Sequence, residues 1–439
     1  MAISVPTTYK DMLALITDSA KRVYWSWEVE FIADGKVLKA ERLIDFDEFS
    51  DYENKHSAET TIVVGLVLSD YQRFIYPNRK NLTALIRKKP LMETRNVERD
   101  ESYELRYYRV VPSENTDIQT MMSMDSDPSL GFAQFTFQLE EEAITLLRNR
   151  TTGTIARDER AADVLRALLG IESMALRLPM DQRVKGVTMV EPNVKDPLSH
   201  VIVEHGTPVL DLAGYMQLKC GGIYNSMMGS FLIDNMWYLY PIYDTEQYNQ
   251  SERVMDLLIL PANRTLGLDR THMLVGNRLI VAITGQTNQS DSSDIDYIKL
   301  GNGVRFMNAT QLFDGFTEVK DNIAVADVNR NSSHIAIDER DSGNQNAPFS
   351  QNKITDNVAV EISKLSPRKG QIVNLMWNYS NHNLLKPGMP LKLHYPVPGG
   401  TEERLGVLLS AETHASTTER TMSSVRYVSN TNLRIFIQK

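Results

Sequence analysis

The sequence predicts an α+β chain dominated by strands, with two strand-rich ends flanking a mixed α/β centre. Three observations predict it. Near the start, apolar and polar residues alternate: Trp25, Trp27, Val29 and Phe31 fall on one side of a strand, and Ser26, Glu28 and Glu30 on the other. Helical spacing clusters in the middle of the chain, over 138–148, 161–171 and 207–219. Short apolar runs bounded by turn residues return after residue 370. A chain of 439 residues outgrows a single core, and its length suggests about three domains. The expected division is 1–140, 141–294 and 295–439, the last carrying a long polar loop over 321–357.

In chain order, residues 9–22 suit a short helix with Met12, Leu13, Leu15 and Ile16 on its apolar face. After the first strand, Asp34-Gly35 is a hairpin signal, and the return strand is expected over 37–43. An acidic stretch, 45–53, precedes the run 60–68, TTIVVGLVL in its first nine residues, which reads as a central strand. Further strands are expected at 74–76, 81–87, 103–111 and 131–139. Six or seven strands in about 120 residues suit a barrel or a sandwich. Residues 138–148 then read as an amphipathic helix with Glu140, Glu141 and Glu142 in its first turns, where carboxylates favour the helix dipole. Adjacent residues on a helix point apart, so these glutamates read as a solvated face rather than a metal or acid/base cluster. A second helix is expected over 161–171, ended by Gly170, and 179–208 reads as an extended connector.

The centre of the chain is 206–244. Thr207 suits an N-cap and Pro208 a first helical residue, with Val209, Leu212 and Met216 at helical spacing and Gly221-Gly222 as the stop. Phe231-Leu232-Ile233 and Trp237-Tyr238-Leu239-Tyr240 then form a buried hairpin across an Asp234-Asn235 turn, closed by Pro241. Cys220, the single cysteine, has no nearby histidine to activate it and reads as a small buried side chain. Beyond the hairpin, strands are expected at 256–260, 278–284, 371–376, 391–395, 404–411, 424–428 and 432–437. Turns at 385–390 and Gly399-Gly400 separate some of them.

Composition narrows the function. Lys plus Arg number 47 against 56 Asp plus Glu, a net charge of −9. This argues against sequence-independent phosphate binding as the main task. One cysteine permits no intrachain disulfide and is compatible with folding in a reducing cytoplasm. No signal peptide and no membrane-spanning helix are expected. The histidines, His56, His200, His205, His272, His334, His382, His394 and His414, contain no His-x-x-x-His pair, and no cysteine completes a zinc site. Asp291, Asp294 and Asp296 lack the EF-hand order, and Gly301-Asn302-Gly303 lacks the third glycine of a dinucleotide fingerprint. No nucleophile elbow or P-loop is present. The expectation is a protein that is not an enzyme, with no catalytic, cofactor or metal residues.

The order of a helix, Gly222-Ile223-Tyr224, Gly229-Ser230-Phe231, the Asp234-Asn235 turn and WYLYPIYD over 237–244 resembles the middle region of baseplate central hub proteins of contractile-tailed bacteriophages. Gly222, Tyr224, Gly229, Phe231, Trp237, Tyr240, Pro241 and Asp244 carry the resemblance, as a structural motif of about forty residues. The Leu385-Lys386-Pro387-Gly388 turn and the strands after it resemble that family's second barrel. The resemblance implies two antiparallel β-barrels like those of the tail tube, and a homotrimer closing into a ring of quasi-sixfold symmetry. That ring would join the tail tube protein to the central spike protein, among other baseplate proteins and the tape measure. DNA would be passing cargo, no membrane would be entered, and the protein, made in the host cytoplasm, would reside in the virion. The alternatives from other classes are a receptor- or glycan-binding tail protein and a cell-wall hydrolase.

Overall fold

The computed structural model describes residues 8–18, 24–91, 104–111, 132–224, 226–260, 268, 270–284, 287–290, 318–320, 323–328, 333–338, 370–417 and 426–438. Strands dominate. The first third carries β1 (Tyr24–Ala33), β2 (Lys36–Lys39), β3 (Arg42–Asp51), β4 (Glu59–Val67), β5 (Thr83–Leu91), β6 (Glu104–Val111) and β7 (Phe132–Glu141). The centre carries β8 (Thr151–Glu159), β9 (Gly186–Met189), β10 (Leu198–Pro208), β11 (Met227–Ile233) and β12 (Met236–Ile242). There follow β13 (Val254–Leu260), β14 (His272–Val275), β15 (Arg278–Thr284) and β16 (Thr287–Ser290). Then come β17 (Glu318–Lys320), β18 (Ile323–Val328) and β19 (Ser333–Asp338). The last four are β20 (Gly370–Asn378), β21 (Pro390–Val397), β22 (Gly400–Thr417) and β23 (Tyr427–Gln438). The longer helices are α1 (Tyr9–Asp18), α2 (Glu142–Leu147), α3 (Ala161–Met174) and α4 (Leu212–Lys219).

Pairing among the first-third strands runs β1–β5–β6–β7–β4–β3, all antiparallel. The path continues from β3 to the C-terminal half of β22, from there to β23, and back to β1 where Tyr427 faces Trp25. It therefore returns on itself. Its interior is apolar and aromatic, including Trp25, Trp27, Phe31, Phe46, Ile62, Tyr108 and Phe137. The other halves of β22 and β23 serve a second path, in which β22 pairs β21, β21 pairs β13 and β13 pairs β15, while β23 pairs β20 and β20 pairs β16. Here β13 runs parallel to both neighbours, so this path is mixed rather than wholly antiparallel as expected. The helix α1 lays Met12 and Ile16 on Leu258, Leu260, Ile280 and Ala282 of β13 and β15.

Several expected elements differ. Residues 74–76 are not a strand, because Tyr71–Ile75 makes one π-helical stretch between short helical turns. Tyr71 and Ile75 are buried on one side of it, and Tyr71 stacks on Phe135 at 4.1 Å. The helix expected from 138 begins only at Glu142, because Gln138 to Glu141 are held in β7 by β4 and β6. Gly170 does not end α3, which runs on to Met174 with Leu169 and Ser173 buried. The expected connector 179–208 contains β9 and β10, and β10 pairs β8 as a two-stranded ribbon. Thr207 and Pro208 end β10 rather than capping a helix, which starts after Asp211. Pro241 lies inside β12, opposite Met228. Of residues 37–43, 37–39 fall in β2 and 42–43 in β3, the acidic stretch falls largely in β3, and 427–428 and 432–437 belong to one strand, β23, while 424–425 lie outside the described residues. β18 and β19 fall within the expected polar loop and, with β17 just before it, form a small antiparallel sheet. Asp291, Asp294, Asp296 and Gly301-Asn302-Gly303 lie outside the described residues.

The parallel strands are tied together by one carboxylate. Asp256 on β13 is fully buried; it accepts hydrogen bonds from Tyr248 Oη at 3.0 and 2.9 Å, from the Arg278 guanidinium on β15, and pairs with His394 Nε2 on β21 at 2.7 Å. Burial alone would raise the Asp256 pKa, but the His394 and Arg278 contacts overcome it and hold the carboxyl below its ordinary range. A depressed folded pKa means this stabilisation is present above the unfolded value near pH 4 and lost as pH falls through the folded one. Asp256→Ala, which strands Arg278 and His394 without their anion, is expected to lower stability by about 3–5 kcal/mol at neutral pH. Denaturant unfolding measures it, and the gap between parent and variant should narrow in acid.

Candidate functional site

The hairpin β11–β12 forms because Asp234 and Asn235 both take left-handed backbone angles, φ of 54° and 61°, the requirement of a type I′ turn. Alternation then sends its two faces into different cores. Leu232, Trp237 and Leu239 enter the central core with α3 and α4, while Phe231, Ile233, Tyr240 and Ile242 enter the core of the second strand path. The hairpin is thus a wall shared by two cores.

Tyr240 is the pivot of that wall. Its ring is packed between Gly229 and Gly388, and a Cβ on either glycine would collide with it. Its hydroxyl donates to the Tyr52 carbonyl at 2.7 Å. The Tyr52 N–H in turn donates to the Leu409 carbonyl at 2.9 Å. Leu409 is the extra residue of a β-bulge, because Leu408 faces Ile435 while Ser410 faces Arg434. Tyr52 itself meets Phe231 edge-on at 4.9 Å. Burial, reinforced by the nearby Tyr52 and acidic groups, pushes the Tyr240 phenol well above its ordinary pKa, so it stays a neutral donor. The neighbouring Glu53 accepts from both Tyr243 and Arg434, and the His56 carbonyl accepts from the Leu232 N–H at 2.7 Å. The 52–58 turn of the first strand path is therefore stitched to the central hairpin and to β23.

A line of charges crosses the same seam. Arg106 on β6 reaches Glu48 on β3 at 3.0 Å and Asp234 at the hairpin tip at 3.6 Å, and Lys386 reaches Asp234 at 2.9 Å. Burial would raise the Asp234 pKa, but Arg106 and Lys386 overcome it and hold the carboxyl below its usual range. Deeper in, Lys88 lies over the Trp25 ring at 4.3 Å and donates to Asn381 Oδ1 at 3.0 Å. Beside it His382 stacks near Trp27 and Phe46, and burial with the Lys88 and Arg106 charges holds the imidazole well below its ordinary pKa.

The remaining sequence-predicted residues do not all meet here. Gly222 has a φ of +82°, in the left-handed region that glycine tolerates, at the end of α4. Tyr224 is fully buried and its hydroxyl donates to the Val190 carbonyl at 2.7 Å. Trp237 is buried, with Nε1 donating to Ser173 Oγ on α3 at 3.0 Å. Asp244 accepts from the Glu246 N–H and from the Gln247 side-chain amide, each at 3.0 Å, just ahead of the short helix Glu246–Asn249. Gly229, Phe231 and Tyr240 meet at the seam; Tyr224 and Trp237 hold the opposite face; Pro241 only continues the strand. Cys220 is buried, with Sγ 3.5 Å from the Ile202 carbonyl. The sequence reading missed Tyr52, Glu48, Arg106 and Lys386. A signal existed for the first two, since Phe46, Glu48 and Ser50 alternate inward on β3.

The arrangement immobilises; it does not expose a nucleophile. Among the described residues, no group of three or more His, Cys, Asp or Glu side chains is placed to hold a metal ion. No helix among them is long and apolar enough to cross a membrane.

No protein-family model and no curated relative matches the chain. Solved structures do. The chain is similar to a tail protein from Neisseria meningitidis MC58, with 11% identity and a TM-score of 0.45 over 94% of this chain and 96% of that one. It is similar to a 43 kDa tail protein of prophage MuSo2 from Shewanella oneidensis, with 10% identity and a TM-score of 0.46 over 93% and 98%. A third is an Escherichia coli type VI secretion component described as similar to bacteriophage T4 tail proteins, at 9% identity and a TM-score of 0.40 over 90% and 74%.

Three substitutions test the hairpin and its seam. Trp237→Ala is expected to cost about 3–5 kcal/mol, the range for deleting a core aromatic; thermal melting unchanged from the parent would place the residue outside the core. Tyr240→Phe keeps the ring but leaves the Tyr52 carbonyl without its donor, so a loss of about 1–3 kcal/mol is expected. Gly388→Ala, which drives a methyl into that ring at a φ of +62°, should cost more than Tyr240→Phe in the same unfolding experiment.

Proposed function

We propose that this chain is a structural hub of a contractile phage tail baseplate, joining the tail tube to the central spike without catalysis. The observation that carries the reading is the pair of strand paths fused through one hairpin, β22–β23, with a mixed α/β unit locked between them. We read each path as a tube-like β-barrel. The first closes through Tyr427 and Trp25. In the second, β15 and β16 follow each other closely in the chain and pair β13 and β20 respectively, which would bring its two ends together.

The three-part division follows as part of the proposal, with one refinement. The strands β1 to β7 form the first barrel with help from β22 and β23, and the elements from α2 to β12 form the central unit. The strands β13 and β15 are assigned with 370–438 to the second barrel, because they pair with β21. Two barrels per chain give six around a threefold axis, which matches a trimer to a sixfold tube. Closed walls also remove the open sheet edges that promote aggregation. On this reading the partners are two further copies, the tube protein, the spike protein and neighbouring baseplate proteins, with the tape measure and DNA in the lumen, and the location is the virion tail.

The test is a cryo-electron microscopy map of the assembled tail tip. Three copies, each contributing two barrels to one ring between tube and spike, are expected. One copy per particle, or a chain with a single barrel, would overturn the reading.

A further inference from the structure

The exposed apolar side chains are unevenly placed. Leu146, Ile155, Ile171, Met174, Met180, Ile202 and Leu218 all lie in the central unit. The most exposed are Met180 at 88%, Met174 at 72%, Ile155 at 67% and Ile171 at 62%. On α3, Ala167, Ile171 and Met174 recur at helical spacing on the outward side, and the chain then runs through exposed Ala175, Arg177, Pro179 and Met180. This is a helix stripe that faces no core. Its flanking cations, Arg166 and Arg177, are exposed and hold no ion pair among the described residues. An apolar strip with a cationic rim is the form of a docking surface for an apolar group set among carboxylates.

The same chain carries such a group. Phe49 points outward from β3 at 37% exposure. In register it lies between Glu412 on β22 and Glu59 on β4. Both glutamates are exposed, and so are Asp47 and His414, which pair with each other at 2.6 Å in the next outward row. Glu59 is met by Lys55 at 2.8 Å, whereas Glu412 has no ion pair among the described residues. Beside this face opens a groove of about 470 Å³, lined in part by Lys55, Glu59, Gln138, Glu140 and Leu210. That is room for a long, flexible side chain such as methionine.

We propose that these two faces meet between copies of this chain: the α3 strip of one copy docks on the Phe49 face of the next. The contact is heterologous, since two different surfaces meet, and a heterologous contact repeated head to tail closes into a ring when the rotation allows. Apolar contact supplies the attraction, while Arg166 and Arg177 against Glu412 and Glu59 set the register. The inference rests on the ring reading above and names the surfaces that build it.

The experiment is sedimentation of the full chain over a range of concentrations, at low and high salt. The parent is expected to self-associate, more weakly at high salt. Met174→Glu and Phe49→Glu, both at exposed positions, should each remain monomeric. Their equimolar mixture should give a dimer and nothing larger, because one intact strip still finds one intact Phe49 face. Arg177→Glu should weaken association several-fold, with Arg177→Glu/Glu412→Arg restoring it. A parent that stays monomeric at every concentration, variants that associate like the parent, or a mixture that yields no dimer would each overturn the proposal. Any of these would leave the hub reading to the map of the assembled tail, where the ring could close through other surfaces.

Discussion

The fold depends on a single hairpin. The strand β22 is 18 residues long and β23 is 12, well beyond the length of an ordinary strand, because each has to serve two sheets in succession. The change of allegiance occurs at the Leu409 bulge. On one side of it β22 pairs β21, and on the other it pairs β3. A bulge adds a residue to one strand only and so bends it and increases its twist, which is what a strand must do to leave one curved sheet and enter another. The bulge also frees a carbonyl from the ladder. That carbonyl is taken by Tyr52, whose own carbonyl is taken by Tyr240. The point where the sheets separate is therefore the point where the central unit is attached.

Around that point the protein uses charge where a stable core would use hydrocarbon. Glu48, Arg106, Asp234 and Lys386 come from β3, β6, the β11–β12 turn and the turn before β21. Burying such a line seldom adds net stability, since the desolvation of each ion offsets most of the attraction. Its effect is on geometry. Apolar surfaces slide past one another at little cost, whereas an Arg106 displaced from both Glu48 and Asp234 leaves three charges poorly solvated. The same logic applies to Asp256, which draws donors from three neighbouring elements onto one carboxylate and so fixes the register of strands that no short turn connects.

How much of this was legible in the sequence follows from the range of the forces involved. Asp34-Gly35 and Asp234-Asn235 announce their hairpins because the turn geometry is decided by two residues. The burial of Phe231, Trp237 and Tyr240 was legible because a run of aromatics between turns has nowhere else to go. The ribbon β8–β10 was not, because its strands are half exposed and rich in threonine, glycine and charge, so neither shows a clean period. Gly170 looked like a helix end, but helix interiors tolerate glycine where packing on both sides continues. The seam itself was only half visible. Gly229 and Tyr240 are eleven residues apart, whereas Tyr52 lies 188 residues from Tyr240, and no local pattern encodes a partner at that distance. Gly388 appeared as a turn glycine; its second role, making room for a ring, belongs to the tertiary structure.

These features decide how stiffly the two strand paths are joined. Two strand paths joined by a flexible linker could each rotate while the other stayed fixed. Here the joint is two continuous strands, a hairpin whose faces lie in two cores, and a tyrosine wedged between two glycines with its hydroxyl spent on a third segment. Rotation of one part against the other would have to break ladder hydrogen bonds in β22–β23 and expose Phe231 and Ile242 together. Backbone bonds inside a sheet open only with the sheet, so the joint is as stiff as the sheets it joins. Stiffness of that kind has a cost in adaptability, and most of the exposed large apolar side chains among the described residues, including the four most exposed, lie in the central unit, through which neither shared strand passes. The central unit thus exposes apolar surface while the two strand paths are held together by shared strands. Shared strands and exposed apolar surface fall in different stretches of the same polypeptide, and the hairpin at Asp234-Asn235, with one face in each core, is where the two are tied together.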